Sequence, residues 1–118
     1  MVFTLTGLIG SPEVAVYSAS KHAVIGLTKS AAQECSATGV RVNCVCPGLI
    51  DSRMLSTILQ GRNPGNTPVP NDKIVERIPA RRLGLASEVG SVVAFLASDE
   101  ASYVSGSAYT VDGGRTAA

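Results

Sequence analysis

Tryptophan is absent from this sequence, histidine occurs once, and phenylalanine and tyrosine together make up 4% of the residues. So few aromatics leave no basic stripe with stacking rings interleaved, and a net charge of +1 gives no electrostatic attraction to nucleic acid or acidic membranes. No apolar run approaches the ~18–20 residues that a membrane-spanning helix needs. The opening stretch Met1–Thr6 lacks a positive region and is too short for a signal peptide. Internal repeats and low-complexity blocks are also missing. One histidine, His22, and three cysteines make no credible zinc ligand set, so no metal is expected. Cys44 and Cys46 are two apart in a predicted strand and share a face, while Cys35 lies on the preceding helix. All three read as buried thiols in a reducing compartment, the cytoplasm.

What remains is enough for one folded domain. The chain has 118 residues, 45% hydrophobic and 16% charged, which suits a modest core and argues against disorder. A helix is predicted from about Val14 to Thr38, ended by Gly39, which can adopt positive φ. Val40 to Cys46 reads as a mostly buried parallel strand stopped by Pro47-Gly48. Residues 53–79 then read as a lid. It comprises a short helix over Met54 to Gln60, a loop rich in proline, glycine and asparagine, and a second helix over Asp72 to Ile78. Val89, Val92, Val93 and Leu96 follow the i, i+3, i+4, i+7 pattern of an amphipathic helix over Ser87 to Ala97. Ala108 to Val111 is a final strand and Asp112-Gly113-Gly114 a turn. Strands alternating with helices imply an α/β fold with a parallel sheet. Gly7 to Pro12 is a loop, and the β-favouring Met1 to Leu5 is the end of a longer element. Arg81-Arg82 is a basic pair that fits either solvated surface or a structural contact.

Chemistry concentrates in Tyr17-Ser18-Ala19-Ser20-Lys21. On a helix, residues four apart share a face, with Cβ atoms roughly 5–6 Å apart. The Tyr17 phenol and the Lys21 ammonium are therefore neighbours. A cation favours phenolate and should draw the phenol below its ordinary pKa of about 10, making a usable general acid/base. The plain alternative is an exposed tyrosine beside an exposed lysine. His22 points about 100° away from Lys21 and reads as peripheral. Pro47 to Ser52 is a second candidate by position, because ligands of open α/β sheets sit beyond the carboxyl ends of strands.

The run from Tyr17 to Lys29, the stretch Gly39-Val40-Arg41-Val42-Asn43-Cys44-Val45-Cys46-Pro47-Gly48, and Val111-Asp112-Gly113-Gly114 together resemble the short-chain dehydrogenase/reductase family. The resemblance runs over nearly the whole chain, in the family's order and spacing, but covers only the C-terminal half of such enzymes. It implies the C-terminal part of a Rossmann-like, doubly wound parallel sheet. No glycine-rich phosphate turn of the N-terminal dinucleotide-binding half is present in these residues. It also implies an NAD(P)-dependent oxidoreductase that interconverts an alcohol and a carbonyl. Tyr17 would be the general acid/base, with Lys21 tuning it and holding the nicotinamide ribose. Thr4 would stand where the family places a carbonyl-polarising serine. Pro47, Gly48, Ile50 and Ser52 match the loop that contacts the nicotinamide, with Ser52 in place of the usual threonine.

The family's long helix packs across a subunit interface. Here Ala19, Ala23, Gly26 and Ser30 supply the small-residue stripe that such packing needs. A homo-oligomer is thus expected, through the 14–38 helix and the C-terminal helix and strand. The expected partners are a small alcohol or carbonyl substrate and NAD or NADP, without nucleic acid or membrane. Lacking the phosphate turn, the isolated chain is expected to be inactive. The alternative is a catalytically inactive truncated product that only associates with full-length relatives.

Overall fold

The computed structural model describes residues 7–12, 14–61 and 71–117. Thr4, the Met1–Leu5 segment and the centre of the predicted lid lie outside them. In chain order the elements are α1 (Ala15–Cys35), a 3₁₀ turn (Ser36–Thr38), β1 (Cys44–Pro47), α2 (Arg53–Gly61) and α3 (Asn71–Val75). They are followed by α4 (Ala86–Ala97), a second 3₁₀ turn (Asp99–Ala101) and β2 (Ala108–Val111). The strands pair in parallel with Cys44 opposite Ala108 and Pro47 opposite Val111, and α4 packs across both.

Alanine-rich α1 forms because most of its residues lose little freedom in a helix. Its inward stripe is Ser18, Ile25, Thr28 and Ala32, spaced so that all four fall on one side. Ile25 meets Cys44, Cys46 and Ala108 to form the core of the α1–sheet contact. An aliphatic side chain so buried contributes about 1.5–3 kcal/mol. Gly39, at φ 80°, takes the left-handed conformation and turns the chain out of the 3₁₀ segment. Gly7 lets the segment before α1 approach closely: a Cβ there would lie 2.9 Å from the Lys21 carbonyl oxygen.

The strand is shorter than Val40–Cys46 and reaches one residue further, into Pro47. Residues 40–43 pair with the opposite chain through side chains and turns instead of a ladder. The Val42 N–H donates to Ser105 Oγ, and the Gly106 N–H donates to the Val42 carbonyl at 2.7 Å. Pro47 is tolerated because the N–H groups of Cys44 and Gly48 face β2, donating to Ser107 and Val111. The alternation puts the donor that Pro47 lacks on the other edge. The helix predicted over Asp72 to Ile78 is regular only as far as Val75 and then turns through Ile78 and Pro79, since proline cannot extend it. On α4 the apolar stripe is only partly covered: Val89 is buried, while Val93 and Phe95 are exposed.

Arg41 and Asn43 hold the two strands' approaches together. Arg41 Nη1 donates to the carbonyls of Leu96 (2.8 Å) and Val104 (3.4 Å), and Nη2 donates to that of Ser98 (3.1 Å). Carbonyls at a helix C-terminus lack partners within the helix and carry the negative end of its dipole. One guanidinium answers both needs for α4. Asn43 Nδ2 donates to the Val104 carbonyl at 2.7 Å, and its Oδ1 accepts from the Ser107 N–H at 3.1 Å. Arg41→Ala is expected to lower the unfolding free energy by about 1–3 kcal/mol. Arg41→Lys is expected to recover little, because a point charge replaces a fork. Urea denaturation followed by circular dichroism measures both.

Cys44 and Cys46 are fully buried, and Cys35 is partly exposed. Burial, followed by the neighbouring Cys44, pushes the Cys46 thiol up to about 11. A thiol is ordinarily near 8.5 when unfolded, so the folded chain holds this proton more tightly. The resulting stabilisation is present below about pH 8.5 and is lost as pH rises toward 11. Alkylation of the native chain at pH 8 is expected to modify Cys35 first and the strand thiols only on unfolding. Peptide mass mapping checks this, and early labelling of Cys46 would contradict it.

Candidate active site

α1 runs antiparallel to the strands. Near its C-terminal end, Ala32 lies against Gly106 at the amino end of β2, and Ile25 lies against Cys44 and Cys46. Tyr17, two helical turns before Ile25, therefore reaches the carboxyl end of the sheet. β1 delivers the Pro47–Ser52 loop at that same end. The topology thus brings the two candidate groups to one side of the sheet, the side where open α/β sheets bind ligands.

Tyr17 is 39% exposed and Lys21 is half-buried. The Lys21 ammonium lies over the Tyr17 ring, 5.0 Å from its centroid. Such a cation–π contact is worth about 0.5–1 kcal/mol at an exposed site, and it fixes the charge beside the phenol. His22 turns away and donates from Nδ1 to the Ser18 carbonyl at 2.9 Å, in keeping with a peripheral role. Among the described residues, no group of three or more His, Cys, Asp or Glu side chains could hold a metal. No helix among them is long and apolar enough to cross a membrane.

The loop after β1 is fixed by backbone pairing. The Gly48 N–H donates to the Val111 carbonyl (3.0 Å), the Gly84 N–H to that of Leu49 (3.0 Å), and the Asp51 N–H to that of Gly84 (2.9 Å). Ile50 and Gly84 form a parallel bridge. Pro47 is buried, Gly48 and Ile50 are partly so, and Ser52 is exposed. Ser52 Oγ accepts from the Leu55 N–H at 3.3 Å and so caps α2. Its own proton stays available for donation, so the cap is compatible with a ligand contact. A serine three residues before Leu55 at the head of an amphipathic run is an N-cap signal that the sequence does carry.

Two further side-chain arrangements flank this loop. Of the two readings of Arg82, the structure bears out the structural contact: though its side chain stays largely exposed, it is a bidentate partner of Glu88, at 2.8 and 2.6 Å. Glu88 also accepts from the Leu85 N–H at 2.8 Å, reaching back from the first turn of α4 to its start. Asp112, read from sequence as a turn residue, accepts from Gly114 N–H, Thr116 N–H and Thr116 Oγ1. Its carboxyl group is held below its usual range: burial opposes the ionised form, but the hydrogen bonds from Thr116 and Gly114 outweigh it. A cleft of about 300 Å³ lies between these groups, lined by Leu49, Arg82, Gly84 and Glu88 and by residues 110–114. Neither Tyr17 nor Lys21 borders it.

A protein-family model described as Enoyl-(Acyl carrier protein) reductase matches residues 2–116. The chain is 41% identical over 117 residues to the oxidoreductase UcpA of Salmonella typhimurium, covering 98% of this chain and 44% of that one. Levodione reductase superposes with a TM-score of 0.93 at 36% identity, over 99% of this chain and 45% of its own. The crystal structure of a putative 2-deoxy-d-gluconate 3-dehydrogenase from Agrobacterium tumefaciens with bound NADP gives 0.85 at 37% identity, over the same shares. The chain belongs to the short-chain dehydrogenase/reductase family. Its fold is the C-terminal part of that family's doubly wound parallel domain, and it spans a little under half the length of the relatives it matches.

Glu88 provides a pH test of the frame. Hydrogen bonds from Arg82 and the Leu85 amide hold its carboxyl down at about 2, against about 4.3 unfolded. The brace is complete above about pH 4.3 and is lost as pH falls toward 2. Amide exchange at Leu85 is expected to quicken across that window, and Glu88→Gln is expected to remove the pH dependence. Hydrogen-exchange mass spectrometry at pH 5 and pH 2.5, corrected for intrinsic rates, decides it.

Proposed function

We propose that these residues form the catalytic half of an NAD(P)-dependent oxidoreductase that interconverts an alcohol and a carbonyl. The observation that carries this reading is Tyr17 with the Lys21 ammonium over its ring, on the helix end facing the carboxyl ends of parallel strands. The phenol Oη gives a proton to the substrate oxygen in reduction and takes it back in oxidation. Lys21 stabilises the negative charge that develops on that phenol and holds the nicotinamide ribose. When bound, the cofactor supplies or accepts the hydride at the carbon bearing that oxygen. Pro47, Gly48 and Ile50 form the wall against the nicotinamide, and the Ser52 hydroxyl, with its proton free to donate, bonds the carboxamide or phosphate. Thr4 polarises the carbonyl in the role of the family's serine. Residues 53–79 cover the substrate.

The cofactor is NAD or NADP. Support comes from the loop's place beyond the carboxyl end of β1 and from the NADP in the Agrobacterium tumefaciens structure. The dinucleotide phosphates need a glycine-rich turn at a helix start, which these residues do not contain, so the 118 residues alone are inactive. A second copy docks on the outer face of α1. Supporting this, Ala19, Ala23, Gly26 and Ser30 are all exposed there, and Val16 is 85% and Leu27 59% exposed. The α4–β2 side, with Val93 and Phe95 exposed, forms the other contact.

The test requires a complete site, with the chain joined to the dinucleotide-binding half of a relative. Tyr17→Phe is expected to lower turnover about 10²–10⁴-fold while leaving NAD(P)H affinity largely intact. Lys21→Ala is expected to lower both, and Lys21→Arg to restore little. The readouts are initial rates of NAD(P)H formation and a fluorescence titration. More than about a tenth of wild-type turnover in Tyr17→Phe would remove Tyr17 from the acid/base role.

A further inference from the structure

The Asp112 turn touches both the loop after β1 and the base of the lid. On one side, a Cβ built on Gly48 would fall 2.8 Å from both Cα and Cβ of Asp112, so the two backbones are in direct contact. On the other side, the Ala80 N–H donates to the Gly113 carbonyl at 3.0 Å. A Cβ on Gly113 would meet Ile78 Cγ2 at 2.9 Å and Ala80 Cβ at 3.0 Å, and Gly114 lies against Pro79. The turn itself has Gly113 at φ 65° and Gly114 at φ 87°, a path open to glycine and strained for other residues. Three hydrogen bonds to one carboxylate hold it there: Gly114 N–H to Oδ1 at 2.9 Å, and Thr116 N–H and Oγ1 to Oδ2 at 2.9 and 2.6 Å. The lid base is strained as well, since Arg81 is a non-glycine residue at φ 56°. Such a conformation persists only where its surroundings hold it.

We propose that Asp112 is a positioning residue, whose locked turn is the common support for the Pro47–Ser52 loop at Gly48 and for the lid base at residues 78–81. Asp112 touches neither cofactor nor substrate in this arrangement. It acts through Gly48 and Ala80, and its value for cofactor binding rests on the reading of residues 47–52 given above.

Amide hydrogen exchange of the chain reads the support directly. Asp112→Ala is expected to speed exchange at Gly48 and Ala80 at least tenfold while Cys44, which donates to Ser107 within the strand pair, stays protected. Arg41→Ala serves as the control, lowering stability without touching the turn, and is expected to leave the ratio of Gly48 to Cys44 exchange unchanged. Thr116→Val keeps the carboxylate and removes one donor, so it should give a smaller effect of the same pattern if Asp112→Ala fails to fold. Thr116→Ser should restore wild-type behaviour. Unchanged exchange at Gly48 and Ala80, or a rise matched at Cys44, overturns the proposal. In the chain joined to a relative's dinucleotide-binding half, Asp112→Ala is expected to weaken NADPH binding about tenfold. Loosened Gly48 and Ala80 with unaltered NADPH affinity would sustain the support role and overturn the assignment of residues 47–52 to the cofactor.

Discussion

Two parallel strands of four residues each carry too few backbone hydrogen bonds to set a register by themselves. The register is fixed from outside the ladder, by Arg41 and Asn43 gripping the 96–107 segment. Arg41 gathers carbonyls from the end of α4 and the turn beyond it, and Asn43 bonds the chain just before β2 on both its donor and acceptor sides. The clamp works at the amino end of the strand pair, while the carboxyl end has its own bonds, Gly48 to Val111 and Ala80 to Gly113. A slip of one residue would take Cys44 and Cys46 off Ile25 and turn the strand's other face toward α1. It would also separate Gly48 from Val111, and with it the loop from its backing.

The same economy governs the site. The two candidate groups sit on separate elements, α1 and the loop after β1, and α1 meets the strands through a thin core of Ile25, two thiols and Ala108. Small side chains keep helix and strand close, and the Gly7 contact at Lys21 adds a third close approach. Three charged side chains near the loop brace the frame: Arg82 holds Glu88, Glu88 also takes the Leu85 amide, and Asp112 locks its own turn. On α1, half-buried Lys21 lies over the Tyr17 ring.

Much of this was legible in the sequence, for identifiable reasons. The long helix, the amphipathic α4 and the final strand are set by local pattern, and Gly39 turns the chain away after the first. Tyr17 and Lys21 share a face because four-residue spacing leaves no other choice on a helix. What local pattern could not carry was pairing between distant segments. Val40 to Asn43 looks like strand because its residues favour one, yet its partners are Ser105 Oγ and a Gly106 amide, some sixty positions away. Arg41 and Asn43 stood out as polar residues among apolar ones, which requires partners without naming them. Arg82 stayed open between solvated surface and structural contact because its carboxylate, Glu88, lies across a turn and not at helical spacing. Asp112 looked like turn punctuation, and its contact with Gly48 exists only once the strands are in register. Thr4 and the middle of the lid lie outside the described residues.

The bridge between Ile50 and Gly84 has a consequence for how such a chain can diversify. Its hydrogen bonds, Gly84 to Leu49 and Asp51 to Gly84, clasp the chain just before α2 and just after residues 78–81, while Ala80 is tied to Gly113. Everything between is a cassette closed at its neck. Lengthening a closed loop costs little, about 0.6 kcal/mol for each doubling, and α1 lies outside the segment that the neck closes. Residues of such a cassette can be exchanged or added without breaking the pairing at its neck, so its length and composition can change on a schedule separate from that of the strand pair and α1.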